Sequence, residues 1–439
     1  MSLLKRLPAF AQRSALSFGL RFGGLLLQFI SAILIARVLG VAGYGVYTYA
    51  FSVAMVTSAF LGFGFVPLAV RELPRYLGLK DYAMVIGYLI TGFWLIVGSG
   101  AVASVVIIVL NRYGVIVLGV NWKLVALMAV FQTLVLALSS TLNGFNRVLQ
   151  SQLIETVVRQ GLLVAVVYGL AFGGYAFTPT RLLVVSLGLV GLVLALQSWR
   201  IGQALAEQTR QPLPPAAYDM RRWLVVGMPL MGIGVLHQLQ MNLDFLMIGA
   251  LTDADSVGRY RAASRAADLV IIANGIALQL LEPMLSRALA LDDKAGAQRM
   301  ISHSVMTSVA LAVALAVPLF FGATYYLQLF GSEFVPAAPV LRILVTGHLL
   351  GFLCGPVAVI LVMMGRERIV LMATLGGLIV NFAISYIFVP RYGILAAATA
   401  TVVSGVLVKV ALLAVVVWSG PFDPTPGALF HRAFGRRRG

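Results

Sequence analysis

Residues 15–39 read ALSFGLRFGGLLLQFISAILIARVL, and residues 44–66 read YGVYTYAFSVAMVTSAFLGFGFV. Each run is about as long as a bilayer's hydrocarbon core is thick, since a spanning helix needs roughly 20 mostly apolar residues. Only the short stretch around Gly40 separates them. Working outward, ten more runs follow: 82–110, 124–142, 154–172 and 182–199, then 223–251, 257–281, 300–321, 337–363, 369–389 and 394–418. The chain is 60% hydrophobic and 11% charged, with a mean hydropathy of +0.97. Backbone exposed to lipid must satisfy its own hydrogen bonds, and runs twice the length of a barrel strand do so as helices. The fold class is therefore an all-α polytopic membrane protein with twelve transmembrane helices.

The positions of Lys and Arg set the expected orientation. Of 32, the termini and the even-numbered loops hold 20, the odd-numbered loops and their edges 7, and the spans the other 5. By the positive-inside rule both termini are cytoplasmic. The same distribution accounts for the net charge of +17. Nucleic-acid binders gather such charge on one face or in one domain, so no nucleic-acid partner is expected. The tail with Arg436, Arg437 and Arg438 reads as an anchor to anionic lipid headgroups. Cys354, the one cysteine, lies inside a span and offers neither a disulfide nor a thiolate metal site. The first apolar run is too long for a signal-peptide core, so it is expected to stay in the protein.

An internal repeat divides the chain. Gly45-x-Tyr47 recurs as Gly258-x-Tyr260, Pro67-x-x-x-Arg71 as Pro283-x-x-x-Arg287, and Gly144-x-x-Arg147 as Gly365-x-x-Arg368. The predicted organisation is a six-helix lobe over 1–210, a cytoplasmic linker over 211–222, a second lobe over 223–420 and a basic tail over 421–439. Six spans return the chain to its starting side, so the lobes share an orientation and their pseudo-twofold axis runs along the membrane normal. Duplicated bundles of this kind suit transport through a cavity between the lobes. No GxxxxGK[ST], HExxH or GxSxG motif occurs, and the predicted external connections near 111–123 and 322–336 are short. An enzyme is the weaker class.

Ile35-Ala36-Arg37-Val38-Leu39-Gly40, with Gly43-Tyr44-Gly45-Val46-Tyr47, resembles the bacterial exporters that flip lipid-linked oligosaccharides. The resemblance extends through Gly62-x-Gly64, Pro67, Arg71-Glu72-Leu73, Leu329-Phe330-Gly331, Ala337-Ala338, Asn381, Pro390-Arg391-Tyr392-Gly393-Ile394 and Ala396-Ala397-Ala398. It implies the polysaccharide transporter family of the multidrug, oligosaccharidyl-lipid and polysaccharide exporter superfamily, acting by alternating access in the bacterial cytoplasmic membrane. Its implied cargo is an undecaprenyl-pyrophosphate-linked oligosaccharide for O-antigen or exopolysaccharide synthesis. Membrane lipids are implied partners, as are a polysaccharide polymerase and a chain-length regulator. Twelve spans fit this branch better than the fourteen usual among peptidoglycan-precursor flippases. The rival readings are a cation-coupled multidrug antiporter, which needs surplus acid, and a membrane polymerase or ligase.

A charge at mid-membrane costs about 2.5–3.5 kcal/mol on insertion scales, so each one needs a partner or a wet cavity. Arg21, Gln28 and Ala32 share one face of the first span. Arg21 is expected to face substrate, against the alternative of snorkelling to the inner headgroups. His237, Gln240 and Asp244 share a face of the seventh span, and Arg261, Arg265 and Asp268 a face of the eighth. Their turn near Asp253 puts Asp244 level with Arg261, which predicts a salt bridge to Arg261 or Arg265. Glu155 and Arg159, four apart, predict a helical ion pair. The expected substrate-binding residues are Arg21, Gln28, Arg261, Arg265, His237 and Lys409, because arginine forks bind phosphates bidentately. No cofactor is expected. Coupling is expected from Na⁺ or H⁺ at Asp244 or Asp268, or from the membrane potential alone, worth about 2.3 kcal/mol per charge per 100 mV. Tyr44, Tyr47 and Phe51 form an aromatic stripe, and His348 and Asn381 sit at mid-depth.

Overall fold

The computed structural model describes residues 9–113, 121–209, 212, 214–291, 293–419, 422 and 424. The basic tail and the side chains of Arg21 and residues 272–280 lie outside the described set. Among the described residues the regular structure is entirely helical: α1 spans Ala9–Phe60, α2 Phe65–Gly78, α3 Tyr82–Arg112, α4 Trp122–Gly144, α5 Val148–Gln152, α6 Arg159–Phe172 and α7 Pro179–Gln208. Then come α8 (Met220–Leu251), α9 (Ala254–Ala290), α10 (Lys294–Phe321), α11 (Ala323–Gln328), α12 (Ala338–Leu353), α13 (Val357–Met363), α14 (Glu367–Tyr392) and α15 (Ile394–Ser419).

Ten stretches among the described residues are long and apolar enough to cross a membrane, so this is a multi-pass membrane protein. The first of them, Phe22–Gly78, contains two of the twelve predicted spans. At 1.5 Å per residue, the 52 residues of α1 would reach roughly 78 Å, far beyond any bilayer. Gly40, at φ 68° and ψ −179°, breaks α1 into two arms. α9, which carries Arg259, Arg261, Arg265 and Asp268, is not among the ten.

Two predicted segments have more internal structure than their hydropathy suggested. The tenth span is cut between α12 and α13 by Gly355, at φ 70°, and by Pro356, which has no N–H to donate. The connection expected over 322–336 is largely helical, holding α11 and a 3₁₀ segment over Ser332–Ala337.

The helix-ending turns recur with one geometry. After α2, the Asp81 N–H donates to the Tyr76 carbonyl at 2.9 Å; before α10, the Asp293 N–H donates to the Ala288 carbonyl, also at 2.9 Å. Both aspartates then cap the next helix, from φ −87°, ψ 73° and φ −80°, ψ 74°. After α4, the Arg147 N–H donates to Leu142, and after α13 the Arg366 N–H donates to Leu361, at 2.9 and 2.8 Å. These two arginines have nearly equal dihedrals, −105°/41° and −107°/36°. In each case the six-to-one bond closes the helix over a left-handed residue, Asn146 at φ 62° and Gly365 at φ 72°. The turns therefore match in pairs, and aligning them sets Arg75 with Arg287 and Arg147 with Arg366.

The chain divides into two compact units, Met1–Asn242 and Leu243–Gly439. In the first, α2 buries Phe65, Leu68, Ala69, Leu73 and Tyr76 along one face, at helical spacing. That face packs with Tyr88, Leu142, Ile201 and Trp223. Trp223 is fully buried, and its indole N–H donates to the Tyr76 hydroxyl at 2.9 Å. Beside it Arg222 reaches both carboxylate oxygens of the buried Glu72, at 3.1 and 3.4 Å. Gly64, at φ 80°, lies so close to Gly227 that a Cβ there would overlap the Gly227 carbonyl oxygen. In the second unit, Leu281, Leu285, Ile301, Val305, Ile360, Leu361, Leu412 and Val416 form the core. Exposed side chains such as Val102, Val105, Ile379 and Leu407 are apolar, as surfaces against acyl chains require.

Candidate functional site

The turn between α8 and α9 sets up the main polar cluster of the second unit. Asp253 caps α9 by accepting from the Ser256 N–H at 2.7 Å, and from there Asp244 on α8 and Tyr260 on α9 come side by side. The Tyr260 hydroxyl donates to Asp244 Oδ2 at 2.6 Å, as does the Thr401 hydroxyl of α15, also at 2.6 Å. The Asn381 amide of α14 donates to Asp244 Oδ1 at 3.3 Å and to Thr401 Oγ1 at 3.3 Å. Ser385 donates in turn to the Asn381 carbonyl oxygen at 3.2 Å, which fixes the amide's orientation. Four helices therefore surround one carboxylate with three neutral donors. An anionic oxygen cluster held this way can take up a proton or a small hard cation.

The predicted bridge from Asp244 to Arg261 or Arg265 is absent among the described residues, and Arg265 pairs elsewhere. Arg265 lies 3.6 Å from Asp268, three residues on along α9, while its Nε is buried without a partner among the described residues. A three-residue step on one helix aligns these groups without any help from α8. Arg261 sits over the Phe245 ring, its guanidinium carbon 4.8 Å from the ring centre. Lys409 on α15 lies over Phe352, 5.2 Å from the ring centre, in room left by Gly351, whose Cβ would crowd the lysine stem. His348 of α12 lies within electrostatic reach of both Asp268 and Lys409. Arg265, Asp268 and Lys409 thus share a neighbourhood, and Asp268 also lies within electrostatic reach of Tyr260 in the Asp244 cage.

The other predicted residues are not drawn into either cluster. His237 is exposed on α8. Gln28 is half-buried on α1, and its backbone carbonyl accepts from Ser31 at 2.8 Å. Arg21 lies on α1, with its side chain outside the described residues. The expected Glu155–Arg159 ion pair is absent among the described residues. A π-helical turn over Leu153–Val158 bonds residues five apart, so positions four apart no longer stack. Glu155 instead accepts from the Ser139 hydroxyl at 2.7 Å, and Gln197 donates to the same hydroxyl at 2.7 Å. Among the described residues no group of three or more His, Cys, Asp or Glu is placed to hold a metal ion.

Tyr260 and Thr401 were not among the predicted site residues. The Gly258-x-Tyr260 repeat pointed to the first, but nothing local marks Thr401, because a threonine in an apolar helix usually bonds its own backbone four residues back. Thr401 does that as well, donating to the Ala397 carbonyl at 3.0 Å.

The family model described as "Polysaccharide biosynthesis protein" matches residues 12–289, more than half of the chain. The chain belongs to the polysaccharide biosynthesis protein family. No functionally curated protein matches its sequence. Among solved structures, this family member is similar to an inward-facing multidrug resistance MATE transporter of the MOP superfamily, at TM-score 0.70 and 15% identity over 95% of this chain and 96% of that one. It is also similar to the lipid II flippase MurJ in an inward closed conformation, at TM-score 0.68 and 16% identity over 93% and 88%. A third likeness is a MOP superfamily transporter from Pyrococcus furiosus, at TM-score 0.60 and 15% identity over 92% of both chains. Identities this low show the fold alone, and that fold is the MOP transporter fold.

Proposed function

We propose that this protein is a flippase that moves an undecaprenyl-pyrophosphate-linked oligosaccharide from the inner to the outer leaflet of the bacterial cytoplasmic membrane for surface polysaccharide synthesis. The observation that carries this reading is the polysaccharide biosynthesis match on a chain with a transporter fold. The likeness to a lipid II flippase supports a lipid-linked sugar as cargo. It is a transporter and not an enzyme, and it works by alternating access, its termini on the cytoplasmic side. Arg21, Arg261 and Arg265, with Gln28, His237 and Lys409, contact the pyrophosphate and sugars, since guanidinium forks match phosphate oxygens and stay ionised. Asp244, in its cage of three donors, carries the coupling cation, with Asp268 the alternative position. Replacing Arg21 or Arg261 by Gln should abolish surface polysaccharide while leaving membrane insertion intact. Normal polymer in both variants would remove these arginines from the cargo path.

A second reading, a cation-coupled multidrug antiporter, is favoured by the likeness to the MATE transporter. The charge balance opposes it, with 32 Lys and Arg against 15 Asp and Glu.

A further inference from the structure

The turns that carry the duplication allow the Asp244 cage to be traced into the first unit. At the register of 213 set by Tyr47 and Tyr260, the counterpart of Asp244 is Ser31 on α1. Tyr260 bonds a hydroxyl of α15, Thr401, at 3.4 Å; Tyr47 bonds a hydroxyl of α7, Ser186, at 3.2 Å. In the second unit α14 contributes Asn381 to Asp244. In the first unit α6 contributes Gln160, whose Oε1 accepts from Ser31 at 3.5 Å, about half a helical turn nearer the start of its helix than the alignment of Arg147 with Arg366 would put Asn381's counterpart. The first unit therefore holds two pairs of the same residue classes, Tyr47 with Ser186 and Ser31 with Gln160, with a serine at the position of Asp244.

What it has instead is a cation. Arg159, next to Gln160, lies within electrostatic reach of Tyr47 and Glu155. Among the described residues its guanidinium makes no salt bridge and no hydrogen bond, because the π turn takes Glu155 out of register and Ser139 holds that carboxylate. Arg159 is half-buried on α6. Arg159 lies 11 residues along from Val148, roughly 16 Å at 1.5 Å per residue, and 14 residues from Gly173 at the other end. That is mid-helix, where a long side chain cannot easily snorkel to either headgroup region. Five donor N–H groups at this depth need acceptors.

We propose that Arg159, next to Gln160 on α6 and within reach of Tyr47, is an oxyanion subsite of the first unit that holds a phosphate group of the cargo. It is the inverted counterpart of the Asp244 cage. The proposal rests on the flippase reading for the source of the phosphate, a pyrophosphate-linked lipid. A phospholipid headgroup is the other source of the same chemistry.

The test uses the full wild-type chain in phosphatidylcholine nanodiscs, so no variant has to fold. Phenylglyoxal modifies accessible guanidinium groups, and mass spectrometry reads the peptide that contains Arg159. Sodium pyrophosphate at about four times its dissociation constant should slow modification of Arg159 about fivefold, with sodium sulfate as the ionic-strength control and the exposed Arg112 unaffected. An Arg159 that is never modified, or that is modified at the same rate with pyrophosphate, overturns the subsite. Protection by phosphatidylglycerol in the discs, with no further effect of pyrophosphate, overturns it in favour of a headgroup contact. Pyrophosphate protection in a protein that moves no pyrophosphate-linked sugar would keep the subsite and sink the flippase reading; the reverse pair of results would sink the subsite alone.

Discussion

Asp244→Asn separates the charge of the cage from its geometry. Two of the three donors to Asp244 are hydroxyls, Tyr260 and Thr401, both bonded to Oδ2 at 2.6 Å. A hydroxyl can accept as readily as it donates. An asparagine placed with its oxygen toward Asn381 and its NH₂ toward the two hydroxyls preserves all three contacts, with the polarity of the two hydroxyl bonds reversed. Exchanging three charge-assisted bonds for neutral ones costs about 1 kcal/mol each. Removing a buried carboxylate returns a desolvation term of several kcal/mol, so the net change in stability is expected to be within about 1 kcal/mol of zero or favourable. Asp244→Leu leaves Tyr260, Thr401 and Asn381 without their acceptor, at about 1–3 kcal/mol for each buried group. Since Tyr260 and Thr401 can still bond each other across 3.4 Å, the expected loss is about 2–4 kcal/mol. Melting of the purified protein in micelles, with Na⁺ varied at constant ionic strength and pH varied separately, checks both statements. Wild type should shift with Na⁺ or with pH, Asn should melt near wild type without that shift, and Leu should melt well below both. An Asn variant as unstable as Leu would make the carboxylate a structural keystone; an Asn variant that kept the cation response would put the coupling site elsewhere.

Gly64→Ala should lower stability by at least about 2 kcal/mol, from a left-handed backbone and an overlap with the Gly227 carbonyl. Gly232→Ala, on α8 with open space around it, should be neutral or stabilising by about 0.5–1 kcal/mol; fluorescence-detected size exclusion after heating compares them, and equal losses would refute the packing at Gly64. Glu72→Gln should cost about 2 kcal/mol, less than a sealed ion pair, because Arg222, Arg75 and Arg71 keep 36%, 49% and 67% of their side-chain exposure and can rehydrate. A double-mutant cycle with Arg222→Ala measures the coupling, and a coupling near zero would mean that the pair does not hold the start of α8. Trp223→Ala should cost about 3–5 kcal/mol, as for other fully buried large side chains; a melting point equal to wild type would show that its cluster with Phe65 and Tyr88 does not stabilise the unit.

Hydropathy located the helices well because a bilayer imposes one length and one backbone solution on every span. It could not see breaks inside apolar runs. Gly62, Phe63 and Gly64 take left-handed conformations at φ 74°, 50° and 80° in the second span, and nothing in their polarity announces this. Residue identities pair Arg71 with Arg287 and Arg147 with Arg368, whereas the matching turns align Arg75 with Arg287 and Arg147 with Arg366, because several residues can satisfy one turn geometry. The site was legible as a set of charged residues and not as a set of pairings. Asp244 was found from its charge at depth, yet its partners come from α9, α14 and α15, up to 157 residues away. Arg159 was misread for a local reason: an i,i+4 ion pair presumes an α-helix, and the π turn withdraws that premise.

Transport by the purified chain in liposomes tests the central claim most directly. With a fluorescent undecaprenyl-pyrophosphate oligosaccharide in the inner leaflet, the label should become accessible to an external quencher only in protein-containing vesicles, and faster with the interior negative. Vesicles that left the lipid-linked sugar in place while moving a cationic dye would contradict the flippase and establish an antiporter.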